Sequence, residues 1–327
     1  MKHKIKILRS ILPEAIETAR KRARRSLVRW RLDLLGADQD QRLQAERLLR
    51  GRERYRQLRK ADAVIVSYPK SGRTWLRVML SRLYQRIYDL PDDIVIQFDN
   101  FHHMDRRIPR LFFTHDAHIG EYIGHAGSKR AYHDKKVLLL ARDPRDVAVS
   151  QFFHLRFRTK DWKREMNFYP PDDSDLGLFD FVRQGSTGLP RVIGFMNAWK
   201  DEIARTRAHE ILRYEDLRAD PHGGLSRVAR FLNIPASPDQ IQEAVDYASY
   251  ENMKRKESDH GFRDSGTRLA PADQANPDSY KVRRAKVGGY RDYFDDDQIA
   301  AIDAIVAESL DPGYGYGVSR GVENAGA

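Results

Sequence analysis

Lys70, Ser71, Gly72 and Thr74 fall within five consecutive positions and together could hold an oxyanion. The lysine brings a full positive charge, the two hydroxyls can donate hydrogen bonds, and the glycine lets the backbone come close. Further along, Arg142 is followed eight residues later by Ser150. A guanidinium offers a phosphate dianion a bidentate fork, and a hydroxyl two helical turns on would face the same spot. The competing use of Arg142 is an ion pair with Asp143 or Asp146 at a helix start. The flanking residues say which elements must carry these groups. Val64–Ser67 is a short β-branched run that suits a buried strand, and Pro69-Lys70-Ser71-Gly72 breaks it. Trp75, Val78, Met79, Leu83 and Ile87 then recur at helical spacing. A strand feeding a tight loop that opens a helix leaves backbone N–H groups and the positive end of a helix dipole at one point, which suits a phosphate. Lys136–Ala141 repeats the pattern, with Asp143 as N-cap and Pro144 in the first helical turn.

The first loop does not match the Walker A order G-x-x-x-x-G-K-[ST], because Lys70 precedes Gly72 and no glycine opens the loop. Tyr-Pro-Lys-Ser-Gly-x-Thr-Trp, residues 68–75, instead resembles the 5′-phosphosulfate loop of sulfotransferases that use 3′-phosphoadenosine 5′-phosphosulfate (PAPS). The Arg142…Ser150 pair resembles that family's 3′-phosphate motif. Ile211–Leu217 is similar to its Tyr-Glu-Asp-Leu segment, Ala248–Lys254 to its adenine-packing segment, and Arg283–Phe294 to the segment that closes over the 3′-phosphate. The resemblance covers most of the chain from Ala63 onward. It implies a P-loop-like three-layer α/β fold with a central parallel sheet flanked by helices. The cofactor contacts it implies are Lys70, Ser71, Gly72, Arg73, Thr74, Trp75, Arg142, Ser150, Tyr214, Ser249, Tyr250, Arg283, Arg284 and Ala285. It further implies PAPS as donor, adenosine 3′,5′-bisphosphate (PAP) as product, no metal requirement, and a hydroxyl acceptor.

Pro109–His115 resembles the family's Pro-Arg-x-x-Lys-Thr-His, whose histidine is the general base, and so implies that role for His115. An imidazole titrates near 6.5, which suits proton abstraction near neutrality. Lys70 is then the group that steadies the leaving phosphate, with Ser150 restraining it. Three positions depart from the pattern: Phe113 stands for the motif's lysine, Ala285 for a glycine, and Tyr290 for a tryptophan. The first removes a cation, and the second puts a Cβ where close phosphate approach is expected. His102, His103 and His118 are rival imidazoles. His102 and His103 with Asp105 or Asp116 fit none of the usual zinc spacings, and the chain has no cysteine. Two other functions stay in view: a small-molecule P-loop kinase, and a membrane or protein adaptor with a vestigial nucleotide site.

With 327 residues, 41% of them hydrophobic, the chain can bury a large core. Apolar runs near 63–67, 110–114, 137–141 and 210–213 alternate with helical stretches, the pattern of a parallel sheet. The net charge of +11 is concentrated: residues 1–60 hold 19 Lys/Arg against 7 Asp/Glu, and the rest hold 39 against 40. The expected layout is a basic helical extension over 1–60, a catalytic domain over 61–312 and a glycine-rich tail over 313–327. The extension has no apolar run of signal-peptide or transmembrane length. Its basic amphipathic pattern suits an anionic membrane surface, or packing on the catalytic domain or on a second subunit of a homodimer; nucleic acid is the less favoured partner. The expected location is cytoplasmic, free or peripheral on a membrane. Gln151–Pro190, rich in aromatic residues, suits either an acceptor cleft or a surface excursion with its own small core, and Arg255–Val282, polar and rich in turn formers, is the expected lid. Phenol, steroid-like, lipid and glycan acceptors all fit this composition.

Overall fold

The computed structural model describes residues 2–169, 176–258, 272–273 and 275–317, with side chains from residue 15 onward. The chain begins with two helices, α1 (Lys2–Leu34) and α2 (Gln39–Lys60), then β1 (Ala63–Ser67) and α3 (Arg73–Tyr88). Short α4 (Asn100–Met104) precedes β2 (Leu111–Thr114), followed by α5 (Ile119–Tyr122), β3 (Lys136–Ala141) and α6 (Pro144–Arg158). Next come α7 (Asp161–Met166), α8 (Leu178–Arg183), α9 (Leu189–Ile203) and β4 (Ala208–Arg213). The chain continues through α10 (Tyr214–Ala219), α11 (Pro221–Leu232), α12 (Pro238–Tyr247), α13 (Tyr250–Ser258) and α14 (Asp296–Ser309).

The four strands form one parallel sheet in the order β2-β1-β3-β4. Successive residues of each strand point to opposite faces, so the apolar runs feed two cores. Ala63, Ile65, Leu138 and Leu140 face one side, packed against residues of α3, α11 and α12. Val64, Val66, Val137 and Leu139 face the other, against residues of α6, α9 and α14. This is the three-layer arrangement expected from the alternating runs. The chain steps from β1 to β2 on one side and to β3 on the other, which opens a crevice at the carboxyl ends of β1 and β3.

The N-terminal helices form a hairpin. Gly36 turns the chain at φ +63°, and Asp38 caps α2 with Gln41 closing a reciprocal capping box. α2 lies tight on the catalytic region: a Cβ at Gly51 would stand 2.2 Å from the His118 carbonyl and 2.6 Å from Cβ of Tyr122. Only glycine allows that approach. Arg47 of α2 donates to the Glu165 and Met166 carbonyls at the end of α7 and lies over the Phe168 ring. At the other end of the chain, Tyr314 and Tyr316 are buried, and the Tyr316 hydroxyl donates to Glu215.

Candidate active site

Every strand delivers a functional residue at its carboxyl end. Tyr68–Gly72 follows β1, His115 follows β2, Arg142 follows β3, and Tyr214 follows β4. Parallel pairing brings these ends level: Val66 stands opposite Thr114, and Ala141 opposite Arg213.

The loop after β1 is shaped by two left-handed residues, Lys70 (φ +72°) and Gly72 (φ +88°). At Gly72 a side chain is excluded twice over, by φ and by the Tyr214 ring, which a Cβ would meet at 2.5 Å. Tyr214 in turn packs edge-on against Trp75 and carries the Arg142 guanidinium 4.5 Å above its ring. Arg142 donates to the Lys70 carbonyl at 3.1 Å, bridging the two strand ends across the crevice. It also approaches Asp146 at 3.4 Å. The ion pair weighed as a competing use of Arg142 therefore coexists with the place in the crevice. Asp146 accepts from the backbone N–H of Gly288 and Tyr290, so it pins the C-terminal segment onto α6.

His115 is oriented from both ring nitrogens. Nδ1 lies 2.7 Å from the Ser67 carbonyl, which can only accept, so it carries the proton. Nε2 lies 2.6 Å from the Arg73 guanidinium, which can only donate, so it presents its lone pair. Burial, and then the Arg73 charge, hold the imidazole pKa well below its usual value. The turn beyond His115 is braced by Asp116, which pairs with Lys129 at 2.6 Å and accepts from the Tyr132 hydroxyl. The rival imidazoles are engaged elsewhere: His102 Nδ1 contacts the Ile108 carbonyl, His103 lies near Asp99 and His118 near Glu121.

One pocket unites Lys70, Gly72, Arg73, Thr74, Trp75, His115, Arg142, Ser150, Tyr214, Tyr250, Arg283, Arg284 and Ala285. Ser71 is buried and Ser249 receives the Asn252 N–H; neither is on the pocket wall. Three more lining residues bear on the chemistry. Lys281 brings an amine to the wall from another segment, and burial, then Lys70 and Arg158, hold its pKa well below the usual lysine value. Phe113 is buried under the Arg77 guanidinium. His154 of α6 lines the wall with Nδ1 lacking a hydrogen-bond partner. The third is Asp146, the one carboxylate among the described lining residues, set against Lys70, Arg73, Arg142, Arg218, Lys281, Arg283, Arg284 and Lys286. Such a balance is complementary to a ligand bearing several negative charges. Crowding of like charge has its cost: burial first, then Arg158, Arg142 and Arg283, lower the Lys70 pKa to about 7.

The C-terminal wall is held by neighbours rather than by regular structure. Glu257 of α13 accepts from the N–H groups of Lys281 and Val282. Arg283 donates to the Tyr293 hydroxyl and lies 3.8 Å from the Phe153 ring centre. Of the expected lid, residues 259–271 and 274 lie outside the described residues. Ala285 has φ +51°, so its Cβ sits in the left-handed region that the expected glycine would occupy without strain. A non-glycine residue there costs about 1–2 kcal/mol, partly offset by the greater unfolded-state freedom of glycine. Ala285→Gly should therefore stabilise the fold by up to about 1 kcal/mol in thermal unfolding; a lower Tm would show that the Cβ is well accommodated.

The expected acceptor segment divides. Residues 151–158 continue α6, where Phe152 and Phe153 pack into the core, while Trp162 and Phe168 are exposed beside Arg50 and Arg47 of α2. Of the aromatic residues and histidines in it, only His154 reaches the wall of the charged pocket.

Comparison with known proteins agrees with this geometry. Cytosolic sulfotransferase 16 of Arabidopsis thaliana is 27% identical over 281 residues, spanning 77% of each chain. Among solved structures, mouse sulfotransferase SULT7A1 complexed with PAP aligns at TM-score 0.50 and 19% identity, over 79% of this chain and 89% of that one. Retinol dehydratase in complex with androsterone and inactive cofactor PAP aligns at TM-score 0.51 and 20% identity, over 76% and 81%. Residues 60–312 match the sequence model of the sulfotransferase domain, and the chain belongs to the sulfotransferase family.

Proposed function

We propose that this chain moves the sulfuryl group of PAPS to the hydroxyl oxygen of a small-molecule acceptor, with residues 61–312 as the catalytic unit, 1–60 as a basic extension and 313–327 as a tail. The observation that carries this reading is the single pocket that joins a neutral, oriented imidazole to a ring of cations around one buried carboxylate. Arg142, Ser150 and the Arg283–Lys286 segment suit the 3′-phosphate. The β1–α3 loop, with Lys70, Arg73 and Thr74, suits the phosphosulfate. Trp75, Tyr214 and Tyr250 supply aromatic surface for the adenine side.

The acceptor O–H proton passes to Nε2 of His115 as the new O–S bond forms. The S–O bond to the 5′-phosphate breaks, and the negative charge left on PAP is met by Lys70. Arg73 occupies the Nε2 lone pair in the free protein, so the acceptor hydroxyl takes its place when Arg73 turns to the donor. The location that goes with this reading is cytoplasmic, supported by the name of the Arabidopsis relative, a cytosolic sulfotransferase.

The test is thermal unfolding with PAP, and separately with ATP plus Mg²⁺. A ligand at 100 times its dissociation constant stabilises by about 2.7 kcal/mol, several degrees in Tm for a domain of this size. A shift with PAP that needs no metal is expected. A shift with Mg²⁺·ATP alone would overturn the reading in favour of a kinase.

A further inference from the structure

The first helix turns an apolar ridge outward. Glu17, Lys21, Arg24, Arg25, Val28 and Leu32 are its half-buried residues, and the ion pairs among them run to α2: Arg25 to Glu46 and Glu53, Glu17 to Arg56. The opposite face carries Ile16, Ala23, Leu27, Trp30 and Leu34, spaced by seven, four, three and four residues, hence one continuous ridge. Ile16, Leu27, Trp30 and Leu34 are 45%, 49%, 57% and 66% exposed, and Leu35 beside the turn is 81% exposed. On the helical wheel Arg20 and Arg31 border this ridge directly on one side; on the other Ala19 and Ser26 come first, with Arg22 and Arg29 farther round, and all four arginines are exposed. Among the described side chains of α1, the acid on the outward face is Asp33, already paired with Arg42.

A helix that lays a charged, half-buried face against its own protein and shows water an apolar ridge is matched to a partner outside the chain. We propose that the outward face of α1 lies on an anionic lipid bilayer, the ridge entering the headgroup region and the bordering arginines pairing with lipid phosphates. Charge decides between the occupants. A second copy would bring arginine borders against arginine borders, whereas a bilayer rich in phosphatidylglycerol-type lipids complements them. Trp30 at the ridge centre is the residue type that favours the headgroup level, and arginine stems can lie along the apolar surface while their heads stay with phosphate. Among the described residues no helix is long and apolar enough to cross a membrane, so the contact lies in the interface plane.

The experiment is sedimentation of the full chain with vesicles of phosphatidylcholine alone or mixed with phosphatidylglycerol. Binding to the mixed vesicles only, weakened as salt rises, is expected. Leu27→Ser/Trp30→Ser/Leu34→Ser should lose at least about tenfold in partitioning, with circular dichroism, Tm and PAP binding unchanged, because these side chains are exposed. Arg20→Gln/Arg22→Gln/Arg29→Gln/Arg31→Gln should lose roughly a hundredfold on anionic vesicles. Failure of the parent protein to bind anionic vesicles overturns the proposal. So does a concentration-dependent dimer that the ridge variant dissociates, which would give the ridge to a second copy.

Discussion

Exchange of His115 for alanine is expected to lower kcat by about 10²–10⁴, the usual contribution of a positioned general base, while the dissociation constant for PAP stays within a few-fold. The separation follows from the geometry: Nδ1 is spent on the Ser67 carbonyl, while Nε2, which meets Arg73, is the nitrogen proposed to take the acceptor proton. The pH profile gives a sharper version. The base form is the active one, and burial with the Arg73 charge depresses the pKa, so the imidazole stays unprotonated to lower pH than a free histidine. The acid limb of kcat/KM should therefore lie below the ordinary imidazole range. Arg73→Ala removes one depressing charge and should move that limb upward, whatever it does to the height of the profile. Turnover of His115→Ala at the parent rate would remove the base assignment, and an acid limb unmoved by Arg73→Ala would detach it from His115.

The strands and the residues just after them were legible because they are local. The runs of β1 and β3 are continuous and end beside Pro69 and Asp143-Pro144, and the register of a parallel sheet then brings the four ends together; β4, with His209 and Glu210 inside it and α10 starting directly at Tyr214, was the faintest of the four. Asp143 accepting from the Arg145 N–H and Pro144 in the first turn of α6 were equally plain from the chain order. Lys281 was not legible. It is held to the pocket through Glu257, and nothing within its own neighbourhood separates it from the other lysines and arginines of a polar stretch. Asp146 shows a subtler gap. Its spacing from Arg142 suggested an i,i+4 ion pair, but its backbone contacts with Gly288 and Tyr290 lie more than 140 residues away and carry no periodic signal. Aromatic content alone did not say where Trp162 and Phe168 go: they lie against Arg50 and Arg47 of α2, away from the charged pocket. The inversion of α1 was hidden for a related reason. An amphipathic pattern announces two faces and is silent about which of them the protein covers.

Lys70 carries the other large effect, and its lowered pKa makes it testable by equilibrium as well as by rate. Lys70→Ala should cost about 10²–10³ in kcat, the scale on which a preorganised group stabilises developing charge, with PAP binding weakened but measurable because Arg142 and Arg283 remain. In the free protein Lys70 is held near pKa 7 by burial and by Arg158, Arg142 and Arg283. A bound phosphate supplies the missing counter-charge and raises that pKa, so binding takes up a proton at any pH between the free and the bound values. The sign is then fixed. Below about pH 7 Lys70 is charged with or without ligand and contributes no slope; above it, log Ka for PAP should fall with a slope approaching −1. Calorimetry in buffers of different ionisation enthalpy would count that proton directly. Lys70→Arg keeps the charge at every accessible pH and should flatten the slope, even though its fork-shaped head serves the leaving phosphate less well. A slope that survives in Lys70→Arg would place the titrating group elsewhere in the cluster, with the buried Lys281 the next to test. A flat profile in the parent protein would mean that the ring of cations is relieved of its repulsion before the donor arrives.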